Sequence, residues 1–203
     1  WQTNRCYQYA ITASSRDYLM SILVTPYGPI DKKLLIQLRK IKLLACDVDG
    51  VFSDGRIYMG QNGEELKAFH TRDGYGVKAL QKIGVQVAVI TGRNSNMVEQ
   101  RMTSLGVQHI YQGCEDKQPA LQAIQNKISV TMSETAAIGD DMPDLGMFKV
   151  SQCNICVQDG HPILAAQAHY QTRTKGGFGA VRELCDLILL SHGQLYTIQS
   201  ASI

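Results

Sequence analysis

Residues 46–55, CDVDGVFSDG, place three aspartates and two glycines directly behind the apolar run at 41–45. Acidic side chains are depleted in strands and costly to bury. A strand ending in Asp47 and Asp49 therefore delivers carboxylates to a rim instead of a core. The i, i+2 spacing lets both point to the same side. Two carboxylates that close repel each other unless a cation lies between them or one is protonated. Two more apolar runs end in polar groups, Thr91-Gly92-Arg93 and Gly139-Asp140-Asp141. One aspartate in such a place fits a turn or helix cap. Asp47, Asp49 and Asp140 converging on one rim instead make a hard oxygen cluster suited to Mg²⁺, which keeps several waters and takes one or two protein carboxylates.

The elements that must position these groups alternate along the chain. Near-continuous apolar runs at 42–47, 85–91, 109–113, 135–140 and 154–158 read as buried strands. Helical stretches lie between them, at 73–84, 94–106, 117–129 and 142–150. The pattern predicts an α/β fold, a doubly wound, Rossmann-like parallel sheet with helices on both faces. In an open sheet of this kind ligands bind outside the carboxyl ends of the strands. Asn62-Gly63, within 56–69, signals a protruding β-hairpin. Residues 31–40 read as a short amphipathic helix, and 179–193 as a closing helix. Residues 1–30 show no clear period and are set apart as an N-terminal extension. The domain is placed at 31–193, with a tail at 194–203.

Composition narrows the function classes. The 203 residues carry 20 Lys and Arg against 18 Asp and Glu, a formal net charge of +2. So mild a balance predicts no nucleic-acid partner and no membrane surface. No apolar run approaches the roughly 20 residues of a spanning helix, and no secretory signal is legible. Six scattered cysteines read as reduced thiols of a cytoplasmic protein. Cys153 and Cys156 form a C-x-x-C, but neither a second pair nor a nearby histidine completes a zinc site.

The motifs in order resemble the haloacid dehalogenase superfamily: Asp47-Val48-Asp49-Gly50-Val51, Thr91-Gly92-Arg93, Lys117, and Gly139-Asp140-Asp141-Met142-Pro143-Asp144. The resemblance implies a phosphohydrolase in which Asp47 attacks phosphorus to give an aspartyl-phosphate. Asp49 would protonate the leaving oxygen, a role for a carboxyl that keeps its proton near neutral pH, and then deprotonate the attacking water. Thr91 and Lys117 would hold the phosphoryl oxygens. Mg²⁺ would sit on the Asp47 carboxylate, the Asp49 carbonyl and Asp140. Asp141 and Asp144 would orient metal waters or Lys117, or Asp144 would cap a helix. The short spans from Asp49 to Thr91 and from Thr91 to Lys117 leave no room for a cap domain, so the site stays open, takes a macromolecule, or is covered by a neighbouring subunit.

The stretches DVDGVFSDGRIYMG, GEELKAFHTRDGYGVKAL and GGFGAVRELCDLILLSHGQL resemble the phosphatases of 3-deoxy-D-manno-octulosonate 8-phosphate, which serve Gram-negative lipopolysaccharide synthesis. That resemblance implies a homotetramer built through the hairpin, its subunits completing one another's sites. It also implies a sugar-acid phosphate bound by His70, Thr71, Arg72, Asp73, Gly74, Arg93 and Arg101. At 178 the family usually carries a basic residue that reaches a neighbour's site; here Phe178 stands in its place, as a substrate cover or an interface residue. Alternatives are a phosphatase for a nine-carbon sialic-type 9-phosphate, or a non-catalytic oligomerisation module. The intact set Asp47, Asp49, Thr91, Lys117 and Asp140 argues against the module.

Overall fold

The computed structural model describes residues 21–198. An antiparallel hairpin comes first, β1 (Ile22–Thr25) and β2 (Gly28–Asp31), and leads into helix α1 (Lys32–Leu38). Asp31 caps α1, accepting from the Lys33 amide at 2.8 Å. Core strand β3 (Leu43–Cys46) follows, and then the minimal hairpin β4 (Tyr58–Met59) and β5 (Glu65–Leu66). The remaining chain alternates α2 (Thr71–Lys82), β6 (Gln86–Ile90), α3 (Asn96–Ser104), β7 (His109–Tyr111), α4 (Lys117–Ile128) and β8 (Thr135–Gly139). Short α5 (Leu145–Phe148), β9 (Cys153–Cys156), α6 (Pro162–Ala165) and β10 (Tyr170–Gln171) precede the long closing helix α7 (Ala180–Ser191).

Six strands form one parallel sheet in the order β10-β9-β8-β3-β6-β7. The chain enters at the centre, winds to one edge through β6 and β7, then returns to β8 and winds the other way. This is the doubly wound arrangement, and its crevice opens where the winding reverses, between β3 and β8. Alternation along each strand divides the core in two. Leu44, Cys46, Val87, Val89, Ala136 and Ile138 pack with α1, α2, α3 and α7 on one face. Leu43, Ala45, Ala88, Ile90 and Ala137 pack with α4, α5 and α6 on the other. Every β3 residue is fully buried, so the carboxylates that follow are fixed to a rigid base.

Three features depart from the sequence expectations. β10 adds a sixth strand, invisible beforehand because two residues carry no period. Residues 22–30, set apart with the N-terminal extension, are joined to the domain: Ile30 is buried in the core, and the Tyr27 hydroxyl donates to Asp186 on α7 at 2.7 Å. Residues 1–20 and 199–203, most of the proposed extension and half of the tail, lie outside the described residues. The third feature concerns Asp73 and Gly74, expected in a binding loop. Both are buried in the first turns of α2, which begins at Thr71 with His70 as its cap. Asp73 Oδ1 accepts from the Arg182 amide at 2.7 Å and so caps α7, whose own preceding residue is Gly179.

Burial pushes the Asp73 carboxyl up to about 7, only partly opposed by the Arg182 amide and the charges of Arg182 and Arg101. A buried acid raised this way favours the protonated native state. Its contribution is fully present below the unfolded value near 4 and is lost as pH rises through about 7. Asp73→Asn keeps an acceptor for Arg182 and cannot ionise. Its stability advantage over wild type should grow by about 2 kcal/mol between pH ~5 and ~8, read from thermal melts. A constant difference across that range would place the charge elsewhere.

Candidate active site

Asp47 stands one residue beyond β3, its amide donating to the Ile138 carbonyl at 3.1 Å and prolonging the pairing with β8. Only 6% of it is exposed. Asp140 follows β8, and Thr91 follows β6 with its amide bonded to the Tyr111 carbonyl at 2.9 Å. The sheet thus brings Asp47, Thr91 and Asp140 to one rim, at the reversal of winding. They line a cavity of about 380 Å³ together with Asp49, Arg93 and Lys117. A smaller cavity, about 260 Å³, opens among Gln81, Gln86 and His109 and has no cluster of charged groups.

Lys117 is the first residue of α4, a position where the helix dipole disfavours a cation. Asp116 caps that helix, accepting from the Gln118 amide at 3.1 Å. What holds the ammonium there is a pair of carboxylates, Asp47 Oδ1 and Asp144 Oδ1, each at 2.6 Å. All three side chains are nearly inaccessible to solvent. The surrounding carboxylates raise the Lys117 pKa against the opposing effect of its burial. Asp144 also accepts the Asp140 and Asp141 amides on Oδ2, at 2.8 and 3.3 Å. It therefore touches Lys117 as expected, but its side chain does not cap α5, with which it makes no cap hydrogen bond; it closes the preceding turn instead. Asp141 caps the same turn at the Met142 amide, 2.7 Å away.

Asp47, Asp140 and Asp144 bring carboxylate oxygens within 4.8 Å of one another. Asp144 has both oxygens committed, so Asp47 and Asp140 are the carboxylates free to bind a cation. Burial and the negative charge of Asp144 raise Asp47 to about 6, with Lys117 opposing. Burial and the charges of Asp47 and Asp144 raise Asp140 to about 8. One ammonium among three carboxylates, two buried and Asp140 half-buried, leaves an excess of negative charge, and a hard divalent ion matches these oxygen donors. Gly50 makes room for the arrangement. It adopts φ +93°, and a Cβ there would run into the Asp140 carboxylate.

Asp49 stands apart. Its side chain is not in the carboxylate cluster but pairs with Lys67, and Ser53 Oγ donates to it at 3.3 Å. Lys67 also lies 3.1 Å from Glu65, and Glu65 pairs with Arg93 at 2.7 Å. Neither Lys67 nor Glu65 was legible from sequence, because both read as ordinary hairpin charges; Cys114 and Glu115 on the cavity wall carried no signal either. His70 accepts from the Arg72 amide at 3.1 Å as a helix cap, and Thr71 and Arg72 are exposed. Arg101, on α3, is not among the residues lining this cavity; one of its guanidinium nitrogens is buried without a hydrogen bond. Phe178 is 55% exposed and does not line this chain's cavity. Its loop is docked, not free: Gly177 donates to the Val51 carbonyl at 2.9 Å, and Gly176 packs on Gly50 too closely for any Cβ.

Comparison with known proteins identifies the class. The family model for haloacid dehalogenase-like hydrolases matches residues 109–184. The 3-deoxy-D-manno-octulosonate 8-phosphate phosphatase KdsC of Escherichia coli (strain K12) is 45% identical over 181 residues, 89% of this chain and 96% of that protein. A Yersinia pestis 3-deoxy-D-manno-octulosonate 8-phosphate phosphatase structure superposes with a TM-score of 0.87 at 46% identity, covering 90% of this chain and 98% of that one. The Moraxella catarrhalis phosphatase, solved with magnesium ion, phosphate ion and KDO, gives 0.79 at 42% identity over 81% of this chain and 95% of its own. The chain belongs to the haloacid dehalogenase-like hydrolases, in the 3-deoxy-D-manno-octulosonate 8-phosphate phosphatase family.

The buried ion pairs carry a stability test. Lys117→Met leaves Asp47 and Asp144 without their cation, and breaking a buried pair costs about 3–5 kcal/mol. Chemical denaturation should show a loss of that order, partly restored by millimolar divalent cation. A loss below about 1 kcal/mol would mean the carboxylates are already neutral.

Proposed function

We propose that this chain is a Mg²⁺-dependent phosphomonoesterase that releases phosphate from 3-deoxy-D-manno-octulosonate 8-phosphate in lipopolysaccharide biosynthesis. The observation that carries it is the joint presence, on one rim, of Asp47 hydrogen-bonded to Lys117, Asp140 beside it, and Thr91 across the cavity. Asp47 attacks phosphorus as the bond to the sugar oxygen breaks. Asp49 gives its proton to that oxygen. Water then attacks the aspartyl-phosphate, Asp49 takes its proton, and Asp47 is regenerated. Thr91 and Lys117 hold phosphoryl oxygens through both steps, so catalysis is largely positioning and electrostatics.

Asp47 and Asp140 hold Mg²⁺ in this reading, with the Asp49 backbone carbonyl, and the ion offsets negative charge on the transferring group. A relative's structure holding magnesium, phosphate and KDO supports both the ion and the sugar acid. Arg93, 46% exposed at the cavity mouth, is placed for an anionic substrate, with Arg72 near the end of the hairpin. We assign the assembly as a tetramer. Ile57, Tyr58, Met59 and Leu66 leave the hairpin with exposed apolar surface, and an isolated two-stranded hairpin is marginal in water. The place of action is the cytoplasm; among the described residues no helix is long and apolar enough to cross a membrane. Phe178 then faces a neighbouring subunit's site, where it supplies no charge.

Phosphate release across eight- and nine-carbon sugar-acid phosphates, with and without Mg²⁺, tests the assignment. The eight-carbon ester should show the highest kcat/KM, and chelator should abolish it. Preference for a nine-carbon ester, or full turnover in excess chelator, would overturn the substrate or the ion respectively.

A further inference from the structure

Lys67 is an unusual residue for the edge of an exposed hairpin. Its side chain is 1% exposed, although a lysine normally keeps its ammonium in water. Alternation explains the placement. Along β5 and just past it, Glu65 and Lys67 turn inward while Leu66 and Ala68 remain exposed. Burying an ammonium is costly unless acceptors surround it. Two carboxylates flank it: Asp49 accepts its hydrogen bond, and Glu65 Oε1 adds an ion pair at 3.1 Å without a hydrogen bond. Glu65 in turn holds Arg93. The result is a continuous ionic chain, Asp49–Lys67–Glu65–Arg93, running from the first motif through the hairpin to the second.

This chain fixes a side chain that little else secures. Among the described residues the Asp49 carboxylate is held by Lys67 and by a long bond from Ser53. Asp47 and Asp144, by contrast, are held by burial and by Lys117. An acid must lie within hydrogen-bonding reach of the oxygen it protonates, and angular freedom there is lost rate.

We propose that Lys67 is a positioning residue for Asp49, aiming the carboxyl at the leaving oxygen and tying that aim to the hairpin. The inference rests on the proposed phosphatase reading. When the P–O bond to the sugar breaks, the proton passes from Asp49 to the sugar oxygen, and Lys67 keeps the resulting carboxylate where it next accepts a proton from water. Lys67 itself neither gains nor loses a proton. The assembly surface of the hairpin and the geometry of the acid then become parts of one element.

The leaving group supplies a readout that a merely structural lysine would not move. An alkyl ester needs its leaving oxygen protonated, whereas p-nitrophenyl phosphate departs as a stable anion. In Lys67→Met, kcat for the eight-carbon sugar phosphate and for a simple alkyl phosphate should fall about ten- to a hundredfold, part of what an acid–base group contributes. For p-nitrophenyl phosphate kcat should stay within about threefold, KM for all three esters should change little, and Lys67→Arg should recover part of the alkyl rate. Equal losses on aryl and alkyl esters would make Lys67 a structural residue. A raised KM at unchanged kcat would make it a substrate ligand, and no change would make it a bystander; each of these overturns the proposal. Failure of the wild type on the sugar phosphate alone would overturn the substrate assignment. The alkyl-to-aryl ratio would still decide the role of Lys67.

Discussion

The structure depends on one buried ammonium. Lys117 sits at the start of α4 against the helix dipole, and only the carboxylates of Asp47 and Asp144 make that position tolerable. Each partner comes from a different strand end, so the ammonium pins α4, the end of β3 and the turn after β8 to one point. The charge balance is incomplete, because Asp140, half-buried, adds a third carboxyl to a site that holds a single lysine. A site that folds with a charge deficit is prepared for a cation and for a phosphoryl group together.

The sheet order makes this convergence possible. β3 and β8 are neighbours although four strands and three α-helices separate them in sequence, and the crevice between their ends is where the winding reverses. Beside it, Gly50 and Gly176 record how close the surrounding chain has come: a Cβ on the first would meet the Asp140 carboxylate, and one on the second the Gly50 carbonyl. The loop carrying Phe178 is packed on the turn behind Asp49, so the closing helix and the first motif are also mechanically joined.

Much of this was legible in the sequence. Buried parallel strands are near-continuous apolar runs, so β3, β6, β8 and β9 announced themselves, and the polar residues ending them located the rim. Asp47, Thr91, Lys117 and Asp140 meet where that reasoning and the family resemblance put them. Short-range patterns could not show what long-range packing decides. Asp73 has the look of a loop acid, but its place inside α2 depends on the amide of Arg182, more than a hundred positions later. Two-residue strands such as β10 have no period to read. Lys67 and Glu65 lie among ordinary hairpin charges, and only the folded hairpin aims them at Asp49 and Arg93.

The central claim is that Asp47, set by Lys117, is the group that accepts phosphorus. The most direct measurement is acid quenching during turnover of the sugar phosphate, followed by peptide mass mapping. The account predicts a phosphorylated peptide containing Asp47, formed with Mg²⁺ and absent after Asp47→Asn. Phosphate on another residue, or steady-state turnover by Asp47→Asn at the wild-type rate, would contradict it.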